Sequence, residues 1–243
     1  MNNNMSIDEQ KNAVARYAVD TLFSEHIISD GVKIGLGTGS TAIYAVRRLA
    51  ELLDEEKLKT VYAVPTSFQT AIECENANIP VYSLNSKKIN GGLDITIDGA
   101  DEIDAEKNLI KGGGAALLLE KIIAYNSKRF IIIADERKKS AVLGTDCVVP
   151  IEIIPEARLA ITKKLEAQGI CVTLREGIKK KGPVITDSGN FIIDIKWNRT
   201  DKPDPARLEA ELNAVTGVVE NGFFTKNKPR VFIAHADGSI EDF

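Results

Sequence analysis

Apolar and polar positions along the first half of the chain switch repeatedly between two periods. Ala13, Tyr17, Ala18, Thr21 and Leu22 fall near helical spacing behind Ser6, a helix-capping residue type, and predict a helix to about Ser24. Residues 32–36 form a short apolar run that predicts a buried strand. A glycine-rich turn and a helix over 41–53 follow. Strands are predicted over 60–64, 93–97 and 130–134, with helices over 68–76 and, after a glycine-rich approach, within 111–125. This alternation predicts an α/β, Rossmann-like parallel sheet with helices on both faces. Ligands of such sheets collect in the loops beyond the carboxyl ends of the strands.

The rhythm changes near residue 149. Strand 148–154, helix 156–168, strands 170–175 and 191–195, helix 205–214 and strand 218–220 give the order β-α-β-β-α-β, the ferredoxin-like signature. The expectation is a small ferredoxin-like α+β domain, residues 149–225, inserted into a main domain of residues 1–148 and 226–243. Segment 176–189, with Lys179, Lys180 and Lys181 beside Gly182 and Pro183, reads as its hairpin connection. Residues 231–234 return to the main sheet, and Met1–Asn4 read as a dispensable tail.

Composition narrows the function. The 243 residues are 44% hydrophobic and 27% charged, ordinary for a soluble folded protein. A net charge of −4 gives no basic footprint for nucleic acid and no general pull toward anionic membranes. A phosphate ligand therefore needs a local positive site. No signal-peptide core or 18-residue apolar run appears. Cys74, Cys147 and Cys171 are far apart and form no CxxC, which fits reduced thiols in the cytoplasm. His26 and His235 have no acidic partner at suggestive spacing and are assigned structural roles.

Four segments could carry chemistry. GLGTGSTA, from Gly35 to Ala42, joins a strand to a helix. Its glycines admit an anion to backbone N–H groups, the helix N-terminus favours negative charge, and Thr38, Ser40 and Thr41 add hydroxyls. The competing reading is a tight turn capped by Ser40 or Thr41. Ser40 replaces the third glycine of a dinucleotide fingerprint, and the lysine of a Walker A loop is absent, so a simple phosphate ester fits better than a nucleotide. DGADEID, from Asp98 to Asp104, crowds four carboxylates into seven residues. A solvated turn, a magnesium site and a hydroxylated ligand all fit it. Asp98 and Asp101 are the ones expected to face a ligand, with Glu102 and Asp104 on the solvent side or in local ion pairs.

KGGGAALLLE runs from Lys111 to Glu120. Three ordered glycines are costly, which implies close approach to the backbone. Lys111 suits an oxyanion, or a surface ion pair with the acidic loop. For a helix beginning near Gly114, Glu120 shares a face with Ala116, Leu117, Ile123 and Ala124. A glutamate there loses water, its pKa rises, and it becomes a proton-transfer base, unless it snorkels to the helix edge. DERKK, from Asp135 to Lys139, is either a solvated loop or the source of a phosphate-contacting lysine. Lys11 joins the set only if the first helix packs beside the glycine loop.

Taken in order, GLGTGSTA, DGADEID, KGGGAALLLEK, a strand ending in Asp135 with Lys138 after it, and Glu152-Ile153-Ile154-Pro155 resemble the type A ribose-5-phosphate isomerases over nearly the whole chain. The resemblance implies an aldose–ketose isomerase that interconverts ribose 5-phosphate and ribulose 5-phosphate in the pentose phosphate pathway. It implies phosphate binding by Thr38, Gly39, Ser40 and Thr41, and sugar handling by Asp98, Gly99, Ala100 and Asp101. Lys111 is the implied oxyanion partner, with Gly112, Gly113 and Gly114 lining the site, and Glu120 is the implied base. Lys138 and, less directly, Lys11 are the implied phosphate lysines. No metal or organic cofactor is implied, and the partners are a pentose phosphate and further copies of the chain, as homodimer or homotetramer. Leu118 and Leu119 depart from the polar residues often found before the glutamate. A non-catalytic sugar-phosphate sensor is the alternative from another class, and the chain lacks the basic helical module it would need.

Overall fold

Ser6 opens α1 (Ile7–Ser24) with a reciprocal cap: its hydroxyl accepts from the Glu9 amide at 3.3 Å, and the Glu9 carboxylate accepts from the Ser6 amide at 2.7 Å. The computed structural model of the chain describes residues 4–179, 181–197 and 204–243. Lys180 and the first three residues of the N-terminal tail lie outside them.

After α1 come β1 (Val32–Leu36), α2 (Ala42–Asp54), β2 (Val61–Pro65), α3 (Phe68–Asn76) and β3 (Ile95–Asp98). Then follow β4 (Glu102–Ile103), β5 (Leu109–Ile110), α4 (Leu117–Tyr125) and β6 (Phe130–Asp135), which leads into a single 3-10 turn, Glu136–Lys138. The rest is β7 (Val149–Ile153), α5 (Arg158–Glu166), β8 (Ile170–Leu174), β9 (Phe191–Trp197), α6 (Pro205–Asn213), β10 (Val218–Asn221), β11 (Phe223–Phe224), β12 (Arg230–Ala234) and β13 (Ile240–Asp242). The chain divides into two compact units.

The first unit runs to Gly99 and adds Leu119–Lys138 and Asn227–Phe243. Its sheet has the order β13-β12-β6-β3-β1-β2, parallel throughout except for β13. Alternate strand residues (Ile34 and Leu36, Ile95 and Ile97, Ile131 and Ile133, Phe232 and Ala234) face α1 and α2, whose Val14, Ala18, Leu22, Val46 and Leu49 complete that core. On α4, Ile123 packs with Val64, Ile89 and Leu93 in a separate apolar cluster. Chain order reverses between β1 and β3, one step on each side leading outward to β2 and to β6. That switch point is where doubly wound sheets hold ligands, and the GLGTG and DGAD loops leave the two strands that flank it.

The second unit comprises Ala100–Leu118 and Lys139–Lys226. Its four-stranded sheet has the order β10-β7-β9-β8, every neighbour antiparallel, with α5 and α6 supplying Ile161, Leu165 and Leu212 to the core. This is the ferredoxin-like pattern that the strand and helix order predicts. Residues 100–118 and 139–148, placed with the main domain by pattern, group with this unit. The reason is a small sheet, β11-β5-β4, whose two-residue strands are too short to show a period. Helix α4 begins at Leu117, later than the expected start near Gly114. Gly112 and Ala115 stand at φ +108° and +59°, a left-handed backbone that no α-helix includes.

Burial pushes the Cys74 thiol up to about 11, which keeps it inert. Glu152, on β7, is buried, and its Oε1 accepts from Thr186 Oγ1 at 2.8 Å and Asn190 Nδ2 at 2.9 Å. Burial raises its pKa above the ordinary 4.5, and the two hydrogen bonds oppose the rise only in part. A raised carboxyl contributes stability that is full below the unfolded value and is lost as pH climbs through the folded one. In Glu152→Gln that loss disappears, so the melting temperature of the variant relative to the parent should rise from pH 4.5 to neutrality. Parallel melting curves across that range would show that Glu152 carries no such penalty.

Candidate active site

Strand β1 presents no side chains on one face near its end, and the site in the first unit is built on that bareness. A Cβ on Gly35 would lie 2.2 Å from Thr96 Oγ1 and 2.5 Å from Ile123 Cγ2, and a Cβ on Gly37 would lie 2.0 Å from Asp98 Oδ1. Neither glycine has a positive φ; both are needed for close approach. Gly39, at φ +106° with open space around it, is the glycine that makes the turn. Of the three, Gly39 alone is required by the turn itself. The first two let β3 and α4 come down onto β1.

That contact sets the height of Glu120. It precedes Ile123 by three residues, about 4.5 Å of helix rise, and it lies in the first turn of α4. Its side chain is 4% exposed, which meets the expectation of a desolvated carboxylate and rules out the snorkelling reading. Asp98 is fully buried at the end of β3, and its Oδ1 accepts from the Gly99 amide at 2.7 Å.

The glycine loop also has its lysine. Lys11, on α1, donates to Ser40 Oγ at 2.9 Å, so the condition set for including it is met. Thr41 stands at the N-cap of α2 without a side-chain cap bond. Thr38 is surrounded by further hydroxyls, those of Thr66 and Ser67 on the β2–α3 turn and of Thr70 in the first turn of α3. Their only sequence signal is a polar Thr-Ser pair at the carboxyl end of a predicted strand.

On the turn after β6, Arg137 Nε donates to the buried Asp135 at 2.7 Å. Burial pushes the Asp135 carboxyl up, but the Arg137 hydrogen bond and charge, with Lys138 nearby, carry it below its usual value. Arg137 is therefore spent locally. Lys138 is half-buried in the same turn, and Lys139 is exposed with its backbone bridged to Ile103. His235 corrects the expectation of no acidic neighbour: its ring nitrogens lie 3.1 Å from Glu136 and 3.1 Å from Glu241.

In the second unit, Asp101 Oδ2 accepts from the Gly113 amide at 2.7 Å, and a Cβ on Gly113 would lie 2.8 Å from Asp101 Oδ1. The carbonyls of Gly112 and Gly113 accept from Arg175 Nη1 at 2.8 and 3.1 Å, while the rest of the Arg175 fork grips Asp194. Amide and carbonyls of the glycine run are thus clamped from opposite partners. Arg175 was missed because both its partners are distant in sequence. Lys111 is 2% exposed, with its ammonium 5.6 Å from the Phe224 ring centroid. Gly114 is exposed, and Ala100 is half-buried.

Glu102 is not on the solvent side as expected. It is buried and receives the amides of Gly144, Asp146 and Cys147 at 2.7, 3.1 and 2.6 Å. Asp104 holds a local turn through the amides of Glu106 and Asn108. The acidic run is thereby dispersed among backbone donors. Among the described residues, no group of three or more His, Cys, Asp or Glu is placed to hold a metal ion.

Fold and side chains together define a doubly wound α/β protein with a glycine-rich loop and a buried carboxylate at its switch point. Comparison with known proteins is specific. The model of the ribose 5-phosphate isomerase A (phosphoriboisomerase A) family matches residues 62–238. Ribose-5-phosphate isomerase A of Treponema denticola is 68% identical over 98% of this chain and 100% of its own. A solved D-ribose-5-phosphate isomerase in complex with phospho-erythronic acid superposes with TM-score 0.90 at 41% identity, over 98% of this chain and 99% of that one. The ribose 5-phosphate isomerase A structure from Methanocaldococcus jannaschii gives 0.88 at 39%, over 98% and 99%. The chain belongs to the ribose 5-phosphate isomerase A family.

Two substitutions test the geometry directly. In Gly37→Ala the new Cβ meets Asp98 Cα at 2.6 Å, so strands must part, and urea unfolding should show a loss of about 1–3 kcal/mol. Arg175→Lys keeps a charge for Asp194 but cannot also span two carbonyls. Hydrogen exchange at the Gly113 amide should then quicken about tenfold; unchanged exchange would mean that Arg175 does not hold the loop.

Proposed function

We propose that this chain interconverts ribose 5-phosphate and ribulose 5-phosphate, with Glu120 as the base that carries the proton between C2 and C1. The observation that carries the proposal is the buried carboxylate of Glu120, held in the first turn of α4 above the side-chain-free face of β1. Desolvation favours proton transfer over solvation of the charge, and the helix fixes its position.

In the proposed reaction the open-chain aldose binds its phosphate at Thr38, Gly39, Ser40 and Thr41, with Lys11 and Lys138 supplying positive charge. The Glu120 carboxylate removes the C2 proton, and the electron pair moves through the new C1–C2 double bond onto the aldehyde oxygen. Lys111 and the amides of the Gly112–Gly114 run stabilise that enediolate, an electrostatic contribution often the largest in such reactions. Proton movement between the two oxygens falls to Asp98 and Asp101, whose loop includes Gly99 and Ala100. Protonated Glu120 then returns its hydrogen to C1, leaving a ketone at C2. The base is restored, and no co-reactant is consumed.

The same reading includes a homodimer or homotetramer and a cytoplasmic place of action. Among the described residues, no helix is long and apolar enough to cross a membrane.

Glu120→Gln keeps the size and planar shape of the side chain and removes the base. Its turnover of ribose 5-phosphate should fall at least about a thousandfold with the circular-dichroism spectrum unchanged. Near-normal turnover would remove Glu120 from the role. Ketose formation by chelator-treated parent protein tests the activity itself, and binding without turnover would favour a sugar-phosphate sensor.

A further inference from the structure

The hydroxyls around Thr38 form a directed relay, and its direction follows from counting protons. Each hydroxyl has one proton to give and two lone pairs to receive. Thr70 Oγ1 donates to the Gly37 carbonyl at 2.8 Å, which has no proton to return. Ser67 Oγ, 3.1 Å from Thr70 Oγ1, must therefore be the donor of that pair. Thr38 Oγ1 donates to Ser67 Oγ at 2.7 Å, so the 2.7 Å contact between Thr38 and Thr66 is donated by Thr66. The order is Thr66 to Thr38 to Ser67 to Thr70 to the Gly37 carbonyl. Ser67 Oγ is completed by the Thr70 amide at 3.2 Å. Thr66, Ser67 and Thr70 are all buried, where such chained bonds strengthen one another.

The relay closes on itself. It leaves the main chain at the Thr38 side chain and re-enters it one peptide bond earlier, at the Gly37 oxygen. Both ends of the Gly37–Thr38 peptide are thereby pinned. In a trans peptide the Thr38 N–H points opposite to the Gly37 carbonyl, so it is directed away from Thr70 in one fixed orientation. Two backbone bonds brace the same stretch: the Gly37 amide donates to Ile97 at 2.9 Å, and the Thr66 amide donates to Leu36 at 3.0 Å.

We propose that Thr66, Ser67 and Thr70 are positioning residues for the anion loop, acting through Thr38, and that Thr38 serves the substrate phosphate through its main chain. Its hydroxyl proton is committed to Ser67, so the sequence reading of that hydroxyl as a phosphate donor does not apply. The donors left to the loop are the amides, the hydroxyls of Ser40 and Thr41, and Lys11. The proposal rests on the reading of this loop as the phosphate site of a pentose phosphate isomerase. A preorganised loop raises affinity because its ordering cost is met in folding.

The test is Thr70→Val, which keeps the side-chain shape and removes the relay's last link. Three quantities are measured: KM for ribose 5-phosphate, the inhibition constant of inorganic phosphate, and kcat. The expected result is a rise of about tenfold in both KM and the phosphate constant, with kcat within about twofold and recovery in Thr70→Ser. A merely structural role lowers the melting temperature and the active fraction but leaves KM and the phosphate constant where they were, and that result overturns the proposal. If Thr70→Val does not fold, Thr66→Val removes the first link and is read in the same way, with an expected rise of about threefold. Parent protein that neither turns over ribose 5-phosphate nor is competed by phosphate fails the underlying reading instead, so the two failures are separable.

Discussion

The architecture of the first unit depends on one close approach: β3 and α4 lie against a face of β1 from which side chains have been removed. Gly35 receives Thr96 and Ile123, and Gly37 receives Asp98. Ordering two glycines costs more backbone entropy than ordering two alanines, roughly 0.5–1 kcal/mol apiece. The return is a carboxylate seated directly on the strand and a helix close enough to carry a second one one turn away. A methyl group at either glycine would hold those elements off. The bare face is therefore a positional device for chemistry, and the cost is distributed over the apolar core on the other face of the sheet.

Charge placement follows a related economy. The chain is net acidic, yet the proposed function asks its first unit to attract an anion. Arg137 is bound to Asp135, and in the second unit Arg175 is bound to Asp194. These forked cations serve as braces for a turn and for a glycine run. Lys11, by contrast, touches Ser40 of the loop read as phosphate-binding, and Lys138 sits half-buried in the turn after β6. Arginine's rigid fork suits simultaneous contacts in fixed positions, whereas lysine is a point charge that can follow an arriving ligand. The partition between bracing and binding thus tracks side-chain geometry.

What could be read from the sequence was whatever is local. Helix α3 and strand β1 were legible to the residue because period and flanking turns mark them. The ferredoxin-like order was legible because its six elements are each long enough to show a period. Two-residue strands were not, and with them went the membership of residues 100–118. At the site, the residue types were legible and their reasons were not. Gly37 is glycine because of Asp98, 61 positions later, a relation no local pattern carries. Glu102 looked like one more carboxylate of a solvated turn, but it is buried under three amides that arrive from residues 144–147. Thr66 and Thr70 look like ordinary strand-end and helix residues until Thr38 is placed between them.

A proton-transfer isomerase imposes a particular demand on such a scaffold. The same group must take a proton from one carbon and deliver it to the next, so it must stay within reach of both carbons while the reactive enediolate is kept from bulk water. On the proposed role of Glu120 as base, its burial answers that demand, but a buried carboxylate is expensive unless fixed partial charges surround it. The first turn of a helix supplies them in a permanent orientation, and Glu120 occupies that turn. A base on a mobile loop would have to be reordered in each cycle, and its effective concentration at the carbon would fall accordingly. The scaffold therefore fixes its carboxylates through a strand end and a helix turn, Asp98 closing β3 and Glu120 opening α4. On the proposed function, strain or looseness introduced at Gly35, Gly37 or the hydroxyl relay acts on the reaction even though none of those groups need touch the carbon that reacts.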